Sequence, residues 1–456
     1  MGKVKVEYLV FFAMVVLGVC LRGWLVPFVN KGDVLVNGEW SRSLYKEGLS
    51  DSYYRQGWTY SFPTQPPLMM LGFWTSSFLF DHRYVLAQMH NTVKLPPADF
   101  LVWLNKYGEP LAWRCWAIGG DVLVSFLVYW IVSRIRKNWW WGLVGAGLVL
   151  FNPVALFESG VWGQNDIWGV LWVYLAFAVL GRSWGRGLSL VLWAVAVLMK
   201  PTVLVLLPLY AVILVKDLLQ VESKERRRSI LMLILGGTAA LVLTVGAFWL
   251  FWSGSEGLVE FIIKVLEQRI LPSAKGVSRA SVSAFNLYSL VFQIDATLGS
   301  WGWGWFNLDR WGGVIYGLLA IIVGGRAWKM KGKIDWRELA ILIFILAEGT
   351  FLFKTGMLER YFFPAFPAAV VMFVLLKGRI RYWLGLQFLV WFVNLWYAFF
   401  RRDISWVSYW FQEIGGGLVR WLSLLNLIIF FLIVREVWNF ERGWWKGEVK
   451  KSGGER

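Results

Sequence analysis

The chain is poor in histidine, cysteine and charge. Its 456 residues include two histidines and two cysteines, and only 16% are charged. The histidines, His82 and His90, are too few for a His-rich metal site. Cys20 and Cys115 lie in apolar stretches and do not form a disulfide framework. An ordinary soluble domain has about 25% charged residues, so this chain has too little polar surface for a soluble multidomain enzyme.

The sequence also lacks the short motifs that hold nucleotides. It has no Walker A loop, no dinucleotide fingerprint and no Asp-x-Asp pair of the kind that holds a metal-bound sugar nucleotide. The net charge of +17 raises nucleic acid as a partner. However, the basic residues cluster at the ends of apolar segments, as the positive-inside rule requires. We therefore expect neither a cytoplasmic nucleotide substrate nor a nucleic-acid partner.

Long apolar blocks make up most of the chain. Apolar and aromatic residues amount to 58% and the mean hydropathy is +0.54, which excludes a disordered protein. Short basic clusters separate the blocks, which is the pattern of a polytopic membrane protein. We predict an all-α protein with both termini in the cytoplasm. About twelve crossings are expected, at residues 8–29, 111–133, 139–157, 167–181, 187–216 (split in two at Lys200-Pro201), 229–252, 311–325, 338–353, 357–376, 382–399 and 418–434.

Two long polar regions lie on the predicted external side of this single membrane domain. The first, 30–110, is expected to rest on the membrane with an interfacial helix at 66–80. At 1.5 Å per residue, that helix is too short to cross about 30 Å of hydrocarbon. The second, 253–310, is expected to contain short helical pieces. The charged tail 435–456 is interpreted as a cytoplasmic anchor without chemistry.

The first candidate site residue is Asp33, just after the first crossing. Aromatic residues follow it, among them Trp40 and Tyr60. A carboxylate above an aromatic-lined cavity can accept a proton from a sugar hydroxyl. The simpler interpretation is a solvated acid at the start of a helix. Both interpretations place Asp33 at the external surface.

A second polar stretch, 152–166, lies between two apolar blocks. Its two glycines allow a sharp turn, and Asp166 can cap the helix that follows. A capped turn does not need Trp162 and Gln164 as well. Because these side chains suit stacking and hydrogen bonding with a sugar, we predict that Trp162, Gln164 and Asp166 bind sugar.

Basic residues mark the remaining candidate positions. Lys200 lies between two apolar segments, where a charge is costly and suggests function, although a lysine can also extend to the membrane surface. Lys354 and Arg360 flank another external turn and can bind a phosphate. Alternatively, Arg360 forms a structural ion pair with Glu359. Arg279 begins a further polar stretch.

Taken together, these stretches resemble the GT-C fold glycosyltransferases, in particular the prokaryotic mannosyltransferase-like group related to a GPI mannosyltransferase. The matching elements run in the family's order over most of the chain. They are Asp33, Trp40, Gly48, Tyr54 and Pro66-Pro67; Asn152-Pro153 and Val161 to Asp166; Lys200-Pro201; Ala284 to Tyr288; and Glu359 to Pro364. One position departs from the pattern, because Leu358 stands where the last motif often has histidine.

The resemblance implies a GT-C fold and an enzyme of the cell membrane that works on its external face. It would move a hexose, mannose by similarity, from a polyprenyl-phosphate donor to an acceptor hydroxyl of a glycan, lipid or protein. Asp33 would act as the general base, and the anomeric carbon would invert. The donor phosphate would be bound by Lys200, Arg279, Lys354 and Arg360. The sugar or acceptor would be bound by Trp40, Tyr60, Trp162, Gln164, Asp166, Asn286 and Glu359.

The resemblance implies no cofactor. Cations beside the leaving phosphate lower the barrier, so a metal is not required, although Glu158 and Asp166 carry oxygens that can bind one. Two other functions fit parts of the pattern. A lipid-linked sugar transporter would explain the basic contacts but needs polar residues on both sides of the membrane. An O-antigen-ligase-like transferase would use a pyrophosphate-linked donor, for which the sequence has no motif.

Overall fold

The chain is helical almost throughout the part that the structure describes. A computed structural model describes residues 6–274, 279–304, 306–330, 335–413 and 417–452. Within these ranges, two short strands, β1 (Gly302–Trp303) and β2 (Phe306–Asn307), form an antiparallel hairpin. The predicted all-α class is therefore confirmed apart from this hairpin.

The helices follow the apolar blocks of the sequence. Those of the first half are α1 (Val6–Leu25), α2 (Asp33–Glu47), α3 (Pro67–Asp81), α4 (Tyr84–Val93), α5 (Ala98–Arg136), α6 (Trp139–Leu150), α7 (Pro153–Ala155), α8 (Asp166–Val179), α9 (Ser183–Met199), α10 (Leu207–Leu219) and α11 (Ser223–Trp249). Those of the second half are α12 (Leu258–Val265), α13 (Leu271–Ala274), α14 (Leu287–Val291), α15 (Leu308–Lys329), α16 (Trp336–Phe353), α17 (Phe366–Leu375), α18 (Ile380–Phe400), α19 (Ser405–Ser408) and α20 (Gly417–Ser452).

Short 3₁₀ and π segments complete the helical structure. The 3₁₀ turns are Val26–Phe28, Pro201–Leu206 and Phe363–Ala365, and the π-helical segments are Leu156–Trp162, Leu266–Ile270 and Tyr409–Glu413. A π segment has i→i+5 hydrogen bonds in place of i→i+4 bonds and is often found at functional sites. The segment Leu156–Trp162 coincides with the polar turn that the sequence analysis selected.

Eight helical segments in the described part of the chain are long and apolar enough to cross a membrane. They are Val6–Phe28, Ala98–Arg136, Trp139–Trp162, Pro201–Leu219, Ser223–Trp249, Leu308–Lys329, Ile380–Phe400 and Gly417–Asn439. They confirm a polytopic membrane protein. The four other expected crossings fall on α8, α9, α16 and α17, which are outside this set, so the number twelve stays a prediction.

Helix α5 is longer than the sequence predicts. The polar region 30–110 was expected to end where the crossing 111–133 begins, yet α5 begins at Ala98 and continues through Pro110, although proline is disfavoured inside a helix. Phe80 of α3 packs close to Gly108, and Arg114 Nη1 donates to the Pro110 carbonyl at 3.0 Å. Tertiary contacts thus outweigh the local preference. Helix α20 likewise extends to Ser452, into the predicted tail.

Contacts within the chain define two compact units. The first comprises residues 1–127 and 146–277, and the second comprises residues 128–145 and 278–456. Each unit contains a buried polar cluster, and the two clusters are described separately below. The prediction of a single membrane domain stays a prediction.

A buried ion pair holds the first unit together. Arg22 Nη2 of α1 lies 2.7 Å from Asp121 Oδ2 of α5, and both side chains are almost completely buried. Ser159 Oγ donates to the same Asp121 oxygen at 2.6 Å, and Arg22 Nη1 donates to the Leu150 carbonyl at 2.8 Å. A buried charge pair persists only when further hydrogen bonds satisfy it. This network therefore fixes the π segment, which contains Ser159, against α1 and α5.

The polar cluster of the second unit is centred on Glu348 of α16. Gln387 Nε2 of α18 donates to Glu348 Oε1 at 3.1 Å and to Asn426 Oδ1 of α20 at 2.7 Å. Trp391 Nε1 is 3.3 Å from the same Glu348 oxygen. Glu348 Oε2 and Gln387 Oε1 are both buried without a hydrogen-bond partner. The cluster thus joins three helices but has two acceptor oxygens that lack a donor.

Substitution of Glu348 by glutamine is expected to leave the midpoint of thermal unfolding unchanged or higher. The new amide removes a buried ionisable group and adds a donor within a cluster that has spare acceptors. Glu348→Ala should instead cost about 1–3 kcal/mol, because the Gln387 and Trp391 donors lose their acceptor. Thermal unfolding of the purified protein in detergent measures both variants. Equal losses in both would contradict this interpretation.

Candidate active site

Asp33 is the first residue of α2. Gly32 precedes it with φ 61° and ψ −133°, which redirects the chain after the first crossing. The carboxylate is half-buried, so it is fixed by the protein but can still be reached. Its position in the first turn places it at the positive end of the helix dipole, which stabilises an anion there.

Two side chains from a distant segment donate to Asp33. Trp162 Nε1 lies 3.1 Å from Asp33 Oδ2, across 129 residues of sequence. Gln164 Nε2 donates to the same oxygen. Both donor side chains are buried, so they hold the carboxylate in one orientation. The structure thus brings together three residues that the sequence analysis selected separately.

Gly163 gives the turn its shape. It ends the π segment in the left-handed region, with φ 69°. A Cβ atom added there would lie 2.9 Å from Val34 Cγ2 and 3.2 Å from Arg114 Cγ. Glycine is therefore required both for the backbone conformation and for the close approach of the turn to the residue that follows Asp33.

A left-handed backbone conformation costs an L-residue about 1–2 kcal/mol. Gly163→Ala is expected to destabilise the protein by more than this amount. The reason for the excess is the overlap with Val34. The matched control is Gly163→Ala in a Val34→Ala background, because that background removes the Val34 Cγ2 atom 2.9 Å from the new Cβ. Unfolding midpoints of the single and double variants measure the coupling between the two positions. If Gly163→Ala cost the same in both backgrounds, the close approach would have no energetic importance.

Arg114 is a buried residue of this site that the sequence analysis missed. Its Nη2 donates to the Val29 carbonyl at 2.6 Å and to the Val161 carbonyl at 3.0 Å, and its Nη1 donates to Asn30 Oδ1 at 2.9 Å. The guanidinium thus links the segment before Asp33 to the π segment. A charged residue inside the predicted crossing 111–133 was the available signal.

Lys200 and Asp166 form a second buried pair in the first unit. Lys200 Nζ is 3.3 Å from Asp166 Oδ2, and both side chains are buried. Lys200 has an extended backbone between α9 and the 3₁₀ turn Pro201–Leu206, which confirms the predicted break before proline. The ammonium is therefore paired with a carboxylate inside the protein.

The two aromatic residues predicted near Asp33 have different environments. Trp40 is buried, and its Nε1 donates to the Ser61 carbonyl at 2.8 Å, which is a structural contact. Tyr60 is 52% exposed, and its backbone N–H donates to Glu39 at 3.0 Å. Burial alone would raise the pKa of Glu39, but this bond and the one from Thr59 lower it overall. Of the two aromatic side chains, Tyr60 is the accessible one.

Two predicted phosphate-binding cations of the second unit, Arg279 and Lys354, are joined through the backbone of one turn. Lys354 follows α16, and the Arg279 carbonyl accepts from Gly356 N at 3.0 Å, while the Arg279 guanidinium donates to the Ala296 carbonyl at 3.3 Å. Thr355 Oγ1 donates to Asp309 at 2.5 Å. Burial lowers the pKa of Lys354, and the Asp309 carboxylate raises it by less. Arg279 and Lys354 therefore belong to one local group.

The last three predicted site residues of the second unit make structural contacts. Arg360 Nη1 is 2.6 Å from Glu359 Oε1, the ion pair that the sequence analysis held as its alternative. Asn286 is fully buried and caps α14, accepting from the backbone N–H of Tyr288 and Ser289. Burial raises the pKa of Tyr288 to about 12. Its hydroxyl therefore remains a donor.

Comparison with known proteins finds no family model and no curated protein that matches the chain. Function must therefore be inferred from the residues and their geometry. Among the residues that the structure describes, no group of three or more His, Cys, Asp or Glu side chains is placed to hold a metal ion. Asp33 and its two donors form the most specific arrangement in the first unit.

Proposed function

We propose that the protein is a membrane glycosyltransferase of the GT-C type, with Asp33 as its general base. It moves a hexose from a polyprenyl-phosphate donor to an acceptor hydroxyl on the external face of the cell membrane. The observation that supports this function is the half-buried Asp33 carboxylate, oriented by Trp162 Nε1 and Gln164 Nε2. We further propose that α8, α9, α16 and α17 complete twelve crossings.

The proposed reaction needs a base and a group of cations. The acceptor oxygen attacks the anomeric carbon while its proton moves to Asp33, late in the step as the hydroxyl becomes acidic. The bond from the anomeric carbon to the phosphate oxygen breaks, and the carbon inverts. The leaving phosphate gains charge, which nearby cations stabilise. The candidate cations stay those that the sequence predicts: Lys200 in the first unit, paired with Asp166, and Arg279, Lys354 and Arg360 in the second.

The fixed orientation of the Asp33 carboxylate also supports its proposed role as the base. Because Trp162 and Gln164 both donate to Oδ2, the carboxylate cannot rotate without breaking two hydrogen bonds. A fixed orientation keeps a catalytic group close to its productive position. Tyr60, which is exposed, can stack against a sugar ring. Sugar contacts from Trp162, Gln164 and Asp166 of the same unit remain part of the proposal.

A transfer assay tests this function directly. Purified protein in lipid vesicles receives radiolabelled polyprenyl-phosphate-mannose or, separately, polyprenyl-phosphate-glucose, together with an acceptor pool extracted from membranes. We expect label to move to a new product with the wild type, with or without EDTA. No transfer from either donor would contradict the proposed donor class and favour a transporter of lipid-linked sugars, which movement of donor across the vesicle membrane would then reveal.

A further inference from the structure

The hairpin of β1 and β2 exposes large aromatic side chains. Trp303 is 87% exposed and Phe306 is 68% exposed. The hairpin backbone turns through Gly302 and Gly304, which have φ 133° and φ 52°. A Cβ atom at Gly302 would collide with the Phe306 carbonyl, so only glycine fits at this position of the hairpin. The aromatic rings therefore extend outward from a tight, narrow turn.

The hairpin is joined directly to a membrane-spanning helix. Strand β2 ends at Asn307, and α15, one of the eight segments that can cross a membrane, begins at the next residue. The Asn307 side chain caps α15 by accepting from the Arg310 N–H at 2.9 Å. No flexible linker separates the two elements. The depth of the hairpin relative to the bilayer is therefore set by the position of the end of α15.

The exposed rings continue the lipid-facing side of α15. Phe306 contacts Trp311 in α15, with ring centroids 6.1 Å apart. Beyond Trp311, exposed apolar residues follow at helical spacing, namely Val314, Leu318 and Ile321. Residues three and four apart share one face of a helix. One apolar stripe thus runs from the hairpin along the spanning helix.

The charged side chains in the first turn of α15 make hydrogen bonds within the protein. Asp309 accepts from Thr355 Oγ1 at 2.5 Å, and Arg310 Nη1 donates to the Gly304 carbonyl at 3.2 Å. Tryptophan combines an apolar ring with an N–H donor and concentrates where a membrane meets water. The hairpin has this composition, at the end of a crossing.

We propose that the hairpin Gly302–Asn307 inserts Trp303 and Phe306 into the boundary between headgroups and acyl chains of the bilayer leaflet at the start of α15. The partner is a lipid surface. A protein partner fits less well, since a stable interface buries about 1,200–2,000 Å² and two aromatic side chains bury about 150–250 Å² each. The inference does not depend on the proposed glycosyl transfer.

Site-directed fluorescence in lipid vesicles tests the insertion. Trp303→Cys and, independently, Phe306→Cys are labelled with a polarity-sensitive fluorophore in a full-length chain that carries Cys20→Ala and Cys115→Ala. Both positions are exposed, so the substitutions leave no cavity. Ile321→Cys serves as the lipid reference and Gln293→Cys as a polar exposed reference of the same unit. Lipids with a nitroxide near the headgroup or deep in the acyl chain act as quenchers.

We expect blue-shifted emission at positions 303 and 306 relative to Gln293→Cys. The headgroup-level nitroxide should quench it more strongly than the deep one, and the order should reverse at Ile321→Cys. Emission at both hairpin positions equal to that at Gln293→Cys, with no lipid quenching, would overturn the proposal. A blue shift that arises only after another protein is added would overturn it as well.

Discussion

Replacement of Asp33 by asparagine is expected to reduce sugar transfer by about 10²–10⁴-fold, the contribution that a general base typically makes. Asparagine has the same shape and keeps an oxygen that can accept from Trp162 and Gln164. The variant loses the negative charge and, with it, the ability to take up a proton. Initial rates in the vesicle assay, measured at equal protein and donor concentrations, give the ratio.

Asp51→Asn is the matched control for this experiment. Asp51 is an exposed acid of the same segment between α1 and α5, and its backbone has φ 61°, which asparagine tolerates well. The same chemical change should therefore leave transfer near the wild-type rate. A rate for Asp33→Asn close to that of Asp51→Asn would show that Asp33 is not the base.

Asp121→Ala should have the largest effect on stability, a loss of about 3–5 kcal/mol. The substitution leaves the Arg22 guanidinium buried without its carboxylate, and breaking a buried pair from one side has this cost. Ser159 also loses its bond to Asp121 and keeps only the Ala155 carbonyl of its own segment as an acceptor, so the π segment that positions Trp162 loosens. Unfolding of the purified protein in detergent measures the loss, and a fall in transfer should accompany it.

Glu109→Ala tests whether burial of the ion pair causes the large loss of stability expected for Asp121→Ala. The Arg42–Glu109 pair is 3.4 Å apart with side chains 41% and 30% exposed, and an exposed pair contributes at most about 1 kcal/mol. The double variant Arg22→Met with Asp121→Leu should recover much of the stability, since an apolar replacement of similar volume removes both charges. An Asp121→Ala loss no larger than that of Glu109→Ala would contradict the importance of the buried pair.

Local sequence signals predicted the features that depend on local chemistry. Proline restrains the residue before it, so the break at Lys200 was predictable, and so was the left-handed turn at Gly163. Apolar block lengths predicted the eight segments that can cross a membrane. In each case the structural outcome is decided by a few neighbouring residues.

Features that depend on distant partners were not predictable. The sequence marks Asp33 and Gln164 as polar positions, but nothing local shows that they meet. Arg114 and Asp121 each look like isolated charges in an apolar block, because their partners lie far away in the chain. The β hairpin was missed for another reason, since strands of two residues are too short to show alternation.

The Arg22–Asp121 pair also has a consequence for biosynthesis. The nascent chain presents α1 to the insertion machinery long before Asp121 is translated, because 99 positions separate the two. Arg22 must therefore enter the bilayer without its partner, at a cost of at most about 2.5–3.5 kcal/mol for an arginine at the helix centre. The rest of α1 is almost entirely apolar and outweighs that cost until α5 is inserted.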